Sequence, residues 1–245
     1  MYKTLKRGVK TIIPDSILYQ IEEALRWPMG LWYHGSKHQC PVCEKKLSRF
    51  IILENGDTIC PYCGSLPRTR RLWKLLFEEL KITGKVLHFS PSRSLYRRLR
   101  KIKTIEYIST DFENEFLADK QYDITNLDVS SNHFDFIICY HILEHIENDA
   151  KAIEELFRVL KPEGTVIIQT PFKEGDVYEN EAIKSPEDRK NHFHQEDHVR
   201  IYSVDGLKSR LEKTGFQVKV NVFKKDLLFE LKERETVLFA KKQVN

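Results

Sequence analysis

Residues 134–169 read FDFIICYHILEHIENDAKAIEELFRVLKPEGTVIIQ. Phe134 to Cys139 is almost wholly apolar, as a strand buried on both faces of a parallel sheet must be. Asn148 to Leu160 then sets Ala150, Ile153, Leu156, Phe157 and Leu160 on one stripe at helical spacing, and Pro162 with Gly164 ends it. Thr165 to Gln169 returns to strand character. Upstream, Val86 to Phe89 is a short apolar strand, Arg93 to Arg100 a helix, and Thr104 to Ser109 a strand that stops at Asp111. Downstream, Ser203 caps a helix carrying Val204, Leu207 and Leu211, and Gly215 closes it. Two strands follow, around Phe216 to Phe223 and Thr236 to Lys241. This order predicts an α/β fold with a doubly wound sheet and a strand hairpin at its end. The stretch from Pro171 to Ile201 fits no period and reads as a long loop of lid or binding type. It holds His192, His194 and His198.

Toward the N-terminus, Ile17, Ile21 and Leu25 recur every fourth residue, with Leu18 and Glu22 alongside. They predict a helix capped by Asp15 or Ser16 and ended by Pro28 and Gly30, with irregular structure up to Lys37. Arg68 to Lys81 predicts a second helix, with Leu72, Leu76 and Leu80 on one face, Trp73 and Phe77 beside it, and Gly84 as its stop. The expected division is a helical segment over 1–37, a cysteine module over 38–66 and the α/β domain over 67–245.

The cysteine module carries Cys40-Pro41-Val42-Cys43 and Cys60-Pro61-Tyr62-Cys63. Two such pairs close a tetrahedral zinc site, each presenting two sulfurs from one tight turn. Gly64 suits the turn after the second pair, whereas the first has Glu44 there. Between them Leu47 to Ile59 reads as a hairpin around Asn55-Gly56. Cys40, Cys43, Cys60 and Cys63 are the candidate ligands of a structural zinc, since four sulfurs leave no open position. Disulfides fit a reducing compartment poorly. Cys139 lies in the apolar strand and is read as packed there.

Of 245 residues, 41% are hydrophobic and 31% charged, an ordinary globular balance. No apolar run approaches the roughly 18–20 residues of a membrane span. Met1 to Lys10 is basic but leads into no apolar segment, so a secretory signal is not expected and the cytoplasm is the expected compartment. Residues 1–83 carry 14 basic and 8 acidic side chains and residues 84–245 carry 26 and 28, a mild basic bias in the first segment. Arg68, Arg70 and Arg71 form one basic cluster, and Arg93, Arg97, Arg98, Arg100, Lys101 and Lys103 another. Their usual fate is a solvated face, and RNA phosphates are a possible but less favoured partner.

Val86 to Ser90, Tyr107 to Asp111, Asp123 to Leu127 leading into Phe134 to Cys139, and Val159 to Gly164 together resemble the class I methyltransferase superfamily, in its Rossmann-like fold. The whole chain resembles methyltransferases that carry a zinc ribbon. The resemblance implies S-adenosylmethionine as cofactor. It implies that His88, Phe89 and Ser90 form the first cofactor loop, that Asp111 binds the ribose hydroxyls beside Phe112, that Asp123 contacts the adenine amino group with Ile124 on the ring, and that Tyr140 lines the methionine end. One departure stands out: this first loop, His88-Phe89-Ser90-Pro91-Ser92-Arg93, has no glycine.

Methyl transfer from a sulfonium asks the enzyme mainly for alignment, with a general base for oxygen or amine acceptors. His141, Glu144 and His145 follow the central strand, and similar motifs in some relatives place a histidine or a divalent metal there. Capping of the following turn is the favoured reading for Glu144 and His145 over metal binding. His141, His145 and His198 are the candidate catalytic residues, with Arg200 expected on an anionic group of the acceptor. The leading expectation is methyl transfer to an oxygen or nitrogen of a small or carrier-linked metabolite. The alternatives are an RNA methyltransferase using the ribbon and arginines, and a non-catalytic binding protein with a degenerate cofactor loop.

Overall fold

The computed structural model describes residues 15–243, with side chains from Tyr19 onward. The basic stretch Met1 to Lys10, the cap assigned to Asp15 or Ser16, and the side chains of Ile17 and Leu18 lie outside what is described. The described residues form two compact units. One takes everything up to Lys81 together with Ser92–Lys101 and Lys224–Glu233; the other takes Ile82–Pro91, Ile102–Phe223 and everything from Arg234.

The first unit begins with α1 (Asp15–Trp32), which runs through Pro28 and Gly30 instead of stopping there. Gly30 is a packing point: a Cβ on it would lie 2.3 Å from a carbon of the Tyr62 ring. Where irregular structure was expected, β1 (His34–Gln39) pairs antiparallel with β2 (Lys46–Leu47). β3 (Ile51–Ile52) and β4 (Thr58–Ile59) form the expected hairpin, with Gly56 at φ +79° in its turn. The helix expected at Arg68 is α2 (Pro67–Lys74), continued by one widened π turn, Leu75–Glu79. α3 (Arg93–Leu99) belongs to the same unit.

The second unit is built on β5 (Gly84–Phe89), β6 (Ile105–Thr110), β7 (Phe134–Tyr140) and β8 (Leu160–Gln169), all mutually parallel. β12 (Phe216–Phe223) and β13 (Glu235–Lys242) extend the sheet antiparallel, in the order β12-β13-β8-β7-β5-β6. This is the predicted doubly wound arrangement with its terminal hairpin. α4 (Asp149–Val159) turns its Ile153, Leu156 and Val159 stripe onto Leu87, Ile137 and Val166, and α6 (Val204–Lys213) adds Leu207 and Leu211 to that core. Truncating a fully buried leucine such as Leu156 to Ala costs about 2–5 kcal/mol. Asn148 and Ser203 cap the two helices by accepting from the Lys151 and Gly206 amides.

The stretch expected as a structureless loop is ordered into short elements. β9 (Phe172–Lys173), β10 (Tyr178–Glu179) and β11 (Arg200–Ser203) form a small sheet in the order β10-β11-β9, and α5 (Pro186–Phe193) lies between β10 and β11. Two-residue strands are too short to show a period. α5 is set by local chemistry: Ser185 accepts from the Asp188 amide, Pro186 opens the first turn, and His194 at φ +71° ends it.

Candidate functional site

Because β5 to β8 are parallel, the residues that follow their carboxyl ends share one edge of the sheet, where ligands of such folds bind. Ser90 follows β5 at φ +44°, the left-handed backbone that glycine adopts most freely. Its hydroxyl donates to Asp111 Oδ1 at 2.6 Å, and the Phe116 amide donates to Oδ2 at 3.1 Å. The turn thus keeps the conformation of a glycine without the residue, and Asp111 is held rigidly and almost wholly buried. Phe112 beside it is exposed. Asp123 Oδ1 accepts from the amide and hydroxyl of Thr125, at 2.8 and 2.7 Å. Tyr140, half-buried, ends β7 at the same edge.

Three residues of the cofactor set point elsewhere. Phe89 and Ile124 are packed in the main core with Leu87. His88 alternates to the opposite face of the sheet, where Nδ1 lies 3.0 Å from the Tyr107 hydroxyl. Complete burial pushes its pKa down to about 3, so it is neutral.

After β7 the chain turns sharply. His141 sits at φ +55°, its amide bonded to the Gln169 carbonyl at 2.8 Å and its Nδ1 3.2 Å from Glu144 Oε1. Glu144 and His145 lie on a short 3-10 turn, Leu143–His145. Glu144 is only 1% exposed. Burial pushes its carboxyl pKa up, but the His141 hydrogen bond and the nearby histidine charges hold it below the usual value. The Val199 amide donates to the Glu144 carbonyl at 2.9 Å, which brings His198 in from 54 residues down the chain. The His145 and His198 rings meet edge to face at 4.6 Å, and His145 Nδ1 lies 3.1 Å from Asp197. Burial first, and the His145 charge second, lower the His198 pKa. The three candidate catalytic histidines therefore converge, together with Glu144.

Arg200 does not face an acceptor. It is buried, with Nε on Glu179 at 2.8 Å and its other nitrogens on the carbonyls of Leu143, Ile146 and Glu147. Its task is to pin β11 to the turn that carries Glu144 and His145. A full set of carbonyl partners satisfies the guanidinium and leaves nothing for a ligand.

In the first unit the four cysteines form one cluster, with Cys40 Sγ 3.7 Å from Cys63 Sγ and Cys43 Sγ 3.7 Å from Cys60 Sγ. That is far beyond a disulfide bond of about 2.05 Å. It matches the edge of a tetrahedron of sulfurs about 2.3 Å from a central zinc. The two turns are built alike: the Glu44 amide bonds the Cys40 carbonyl at 2.7 Å, and the Gly64 amide bonds the Cys60 carbonyl at 2.9 Å. Glu44 takes φ +61° where Gly64 takes +75°. Cys139 is packed in the core of the second unit, its thiol pKa raised by burial.

Arg70 lies fully buried behind the cluster. It donates to the carbonyls of Ser65, Thr58, Phe229 and Glu230 and to the Thr58 hydroxyl, and it stacks over Phe50 at 4.1 Å. Burial lowers its pKa, and the charges of Cys40, Cys60 and Cys63 oppose that. Arg71 bonds the Lys224 and Lys232 carbonyls. In the second basic cluster Arg93 and Arg97 converge on Glu22, at 3.2 and 3.1 Å, and Arg98 meets Glu23 at 2.9 Å. These arginines hold the first unit together; they do not form a solvated face.

A methyltransferase-domain family profile matches residues 51–219. Two curated proteins are similar over shorter stretches. The Dictyostelium discoideum protein named Probable polyketide synthase 10 is 25% identical over 141 residues, 54% of this chain and 5% of its own length. An uncharacterized protein of Methanocaldococcus jannaschii is 28% identical over 90 residues, 35% of this chain and 36% of its own. The chain thus spans well under half of either relative. Among solved structures, a SAM-dependent methyltransferase from Archaeoglobus fulgidus superposes with a TM-score of 0.51 at 18% identity, covering 70% of this chain and 94% of that one. An S-adenosylmethionine-dependent methyltransferase from Mesorhizobium loti does so with 0.51 at 15% identity, covering 69% and 97%. Both likenesses are of fold. Among the described residues no helix is long and apolar enough to cross a membrane.

Proposed function

Because the chain belongs to the methyltransferase-domain family, we propose that it transfers the methyl group of S-adenosylmethionine to an oxygen or nitrogen of a small or carrier-linked metabolite. The convergence of Ser90, Asp111 and the His141 turn at one edge of the parallel sheet carries this reading. Asp111 is assigned to the ribose hydroxyls and Asp123, through its second oxygen, to the adenine amino group. The left-handed Ser90 backbone gives the loop the shape that glycine usually supplies, which favours a binding loop over a degenerate one. Tyr140 is assigned to the methionine end.

The cofactor supplies an electrophilic methyl group on a sulfonium. The chain's own residues must align the acceptor with that carbon and exclude water. His198 and His145 are assigned to the acceptor side, with His198, whose pKa burial lowers, as the base for the acceptor proton. Four thiolates, with Arg70 as the buried positive charge beside them, fit a structural zinc. The internal pairing of Arg70, Arg71, Arg93, Arg97 and Arg98 weighs against the RNA reading, because few of these charges are left for phosphates. Turnover of S-adenosylmethionine to S-adenosylhomocysteine, measured across hydroxylated and amine acceptors, tests the assignment. His198→Ala is expected to keep cofactor affinity and to lose about 10²-fold or more in rate with any acceptor that works. An unchanged rate would remove His198 from the acceptor site.

A further inference from the structure

The helix α1 carries its charges on the inward side and its apolar side chains on the outward one. A surface helix ordinarily does the reverse. Glu22 meets Arg26, Arg93 and Arg97 at 3.1, 3.2 and 3.1 Å, Glu23 meets Arg98 at 2.9 Å, and Arg26 is only 9% exposed. The exposed residues from Tyr19 to Trp32 are Gln20, Ala24, Leu25, Trp27, Pro28, Leu31 and Trp32, of which only Gln20 is polar. Leu25 is 58% exposed, Trp27 55%, Leu31 50% and Trp32 91%. Ala24, Trp27, Pro28 and Leu31 follow one another at three- and four-residue steps, as do Leu25, Pro28 and Trp32, so all lie on one helix face. Apolar side chains exposed singly need no explanation, but a continuous stripe with two tryptophans marks a contact surface.

The charge around this stripe is positive. Arg49 lies 5.5 Å over the ring of Tyr33, whose amide bonds the Gly30 carbonyl at 3.1 Å. Lys45 lies 5.9 Å over the ring of Tyr62, the ring against which Gly30 packs. Both cations are exposed, and so are Lys37 on β1 and Lys46 on β2. Ahead of α1 the sequence carries Lys3, Lys6, Arg7 and Lys10, with no acidic residue before Asp15. We infer that the outward face of α1 docks on an anionic membrane surface. Indole rings favour the boundary between water and hydrocarbon, which suits Trp27 and Trp32, with Leu25 and Leu31 beside them. The lysines and arginines then meet lipid phosphates. Apolar insertion and basic attraction are the two signals that together give stable peripheral binding. A second copy of the chain fits less well, because pairing α1 with its own image brings like charges together.

The test uses the full, zinc-loaded chain with vesicles of phosphatidylcholine alone or of equal parts phosphatidylcholine and phosphatidylglycerol. Co-sedimentation is expected with the anionic vesicles and not with the neutral ones, together with a blue shift of tryptophan emission. Trp27→Ser combined with Trp32→Ser weakens binding by about 10-fold or more. Both side chains are exposed, so zinc content and thermal midpoint are expected to stay unchanged in that variant. Lys3→Gln, Lys6→Gln, Arg7→Gln and Lys10→Gln together, or added salt, weaken it by a similar factor. No binding to the anionic vesicles overturns the inference, as does undiminished binding by either variant. Equal binding to the neutral vesicles overturns the anionic headgroup as the partner. Sedimentation velocity without lipid tests the rival occupant: a dimer that the tryptophan variant turns into a monomer gives the face to a second copy.

Discussion

The two donor clusters of this molecule differ in how they are closed. The cysteines come as two local pairs, each on a tight turn with its own amide–carbonyl bond, and their sulfurs sit at tetrahedral spacing with Arg70 behind them. The Glu144, His145 and His198 group comes from two distant segments and leaves buried polar atoms unmatched. The first arrangement is what a fold does to stabilise a small module. The second gathers side chains of distant segments at the edge where the parallel strands end. A closed metal site makes stability depend on its contents.

The comparison can be broken by perturbing one region at a time. The largest effect is expected at the cysteines. Cys43→Ser should release the zinc and forfeit a share of the metal's binding free energy, about 10 kcal/mol or more for structural sites. The check is loss of zinc together with a protease-sensitive first unit; a variant that keeps its thermal midpoint would show that the cluster is not structural. Next comes Arg70→Met, which strips a buried charge from its carbonyls and should cost about 3–5 kcal/mol in denaturant unfolding while leaving cofactor affinity unchanged. A loss of less than about 1 kcal/mol would mean that the guanidinium is dispensable.

The second unit answers to acid instead. His88 has its folded pKa near 3 against 6.5 unfolded, so between those values the unfolded chain binds the extra proton. Stability therefore falls as pH falls through that window, by about 1.4 kcal/mol per pH unit from this residue alone. His88→Gln should lessen the pH slope of unfolding by that amount between about pH 6.5 and 5, relative to the unaltered chain. Equal slopes in the two proteins would mean that His88 is not buried neutral.

Legibility followed the range of the forces involved. The parallel strands and α4 were readable because burial imposes a period on consecutive residues, and the cysteine pairs because their chemistry is local. The ordered segment after β8 was not, since two of its three strands are two residues long and its position depends on Arg200, whose three carbonyl partners lie more than 50 residues away in sequence. Glu144 was legible beside His141 and His145 but was read as capping its turn, since its neighbour His198 lies 54 residues down the chain. The arginine runs misled for the opposite reason. Their charge is conspicuous in sequence, but carbonyls of residues 224–232, at the far end of the chain, take up Arg70 and Arg71, and Glu22 and Glu23, more than 70 residues upstream, take up Arg93, Arg97 and Arg98. The glycine-free loop also looked like a defect until Ser90 was found in the left-handed conformation, bonded to Asp111.

That loop carries the account, and calorimetric titration of zinc-loaded protein with S-adenosylhomocysteine, beside Asp111→Ala, tests it most directly. Removing a hydrogen-bonding carboxylate from the ribose should cost about 1.5–3 kcal/mol, or about 10–100-fold in affinity. Binding by the unaltered chain that weakens to that extent in the variant is the predicted result. No binding by the intact, zinc-loaded protein, or equal binding by both, would contradict it.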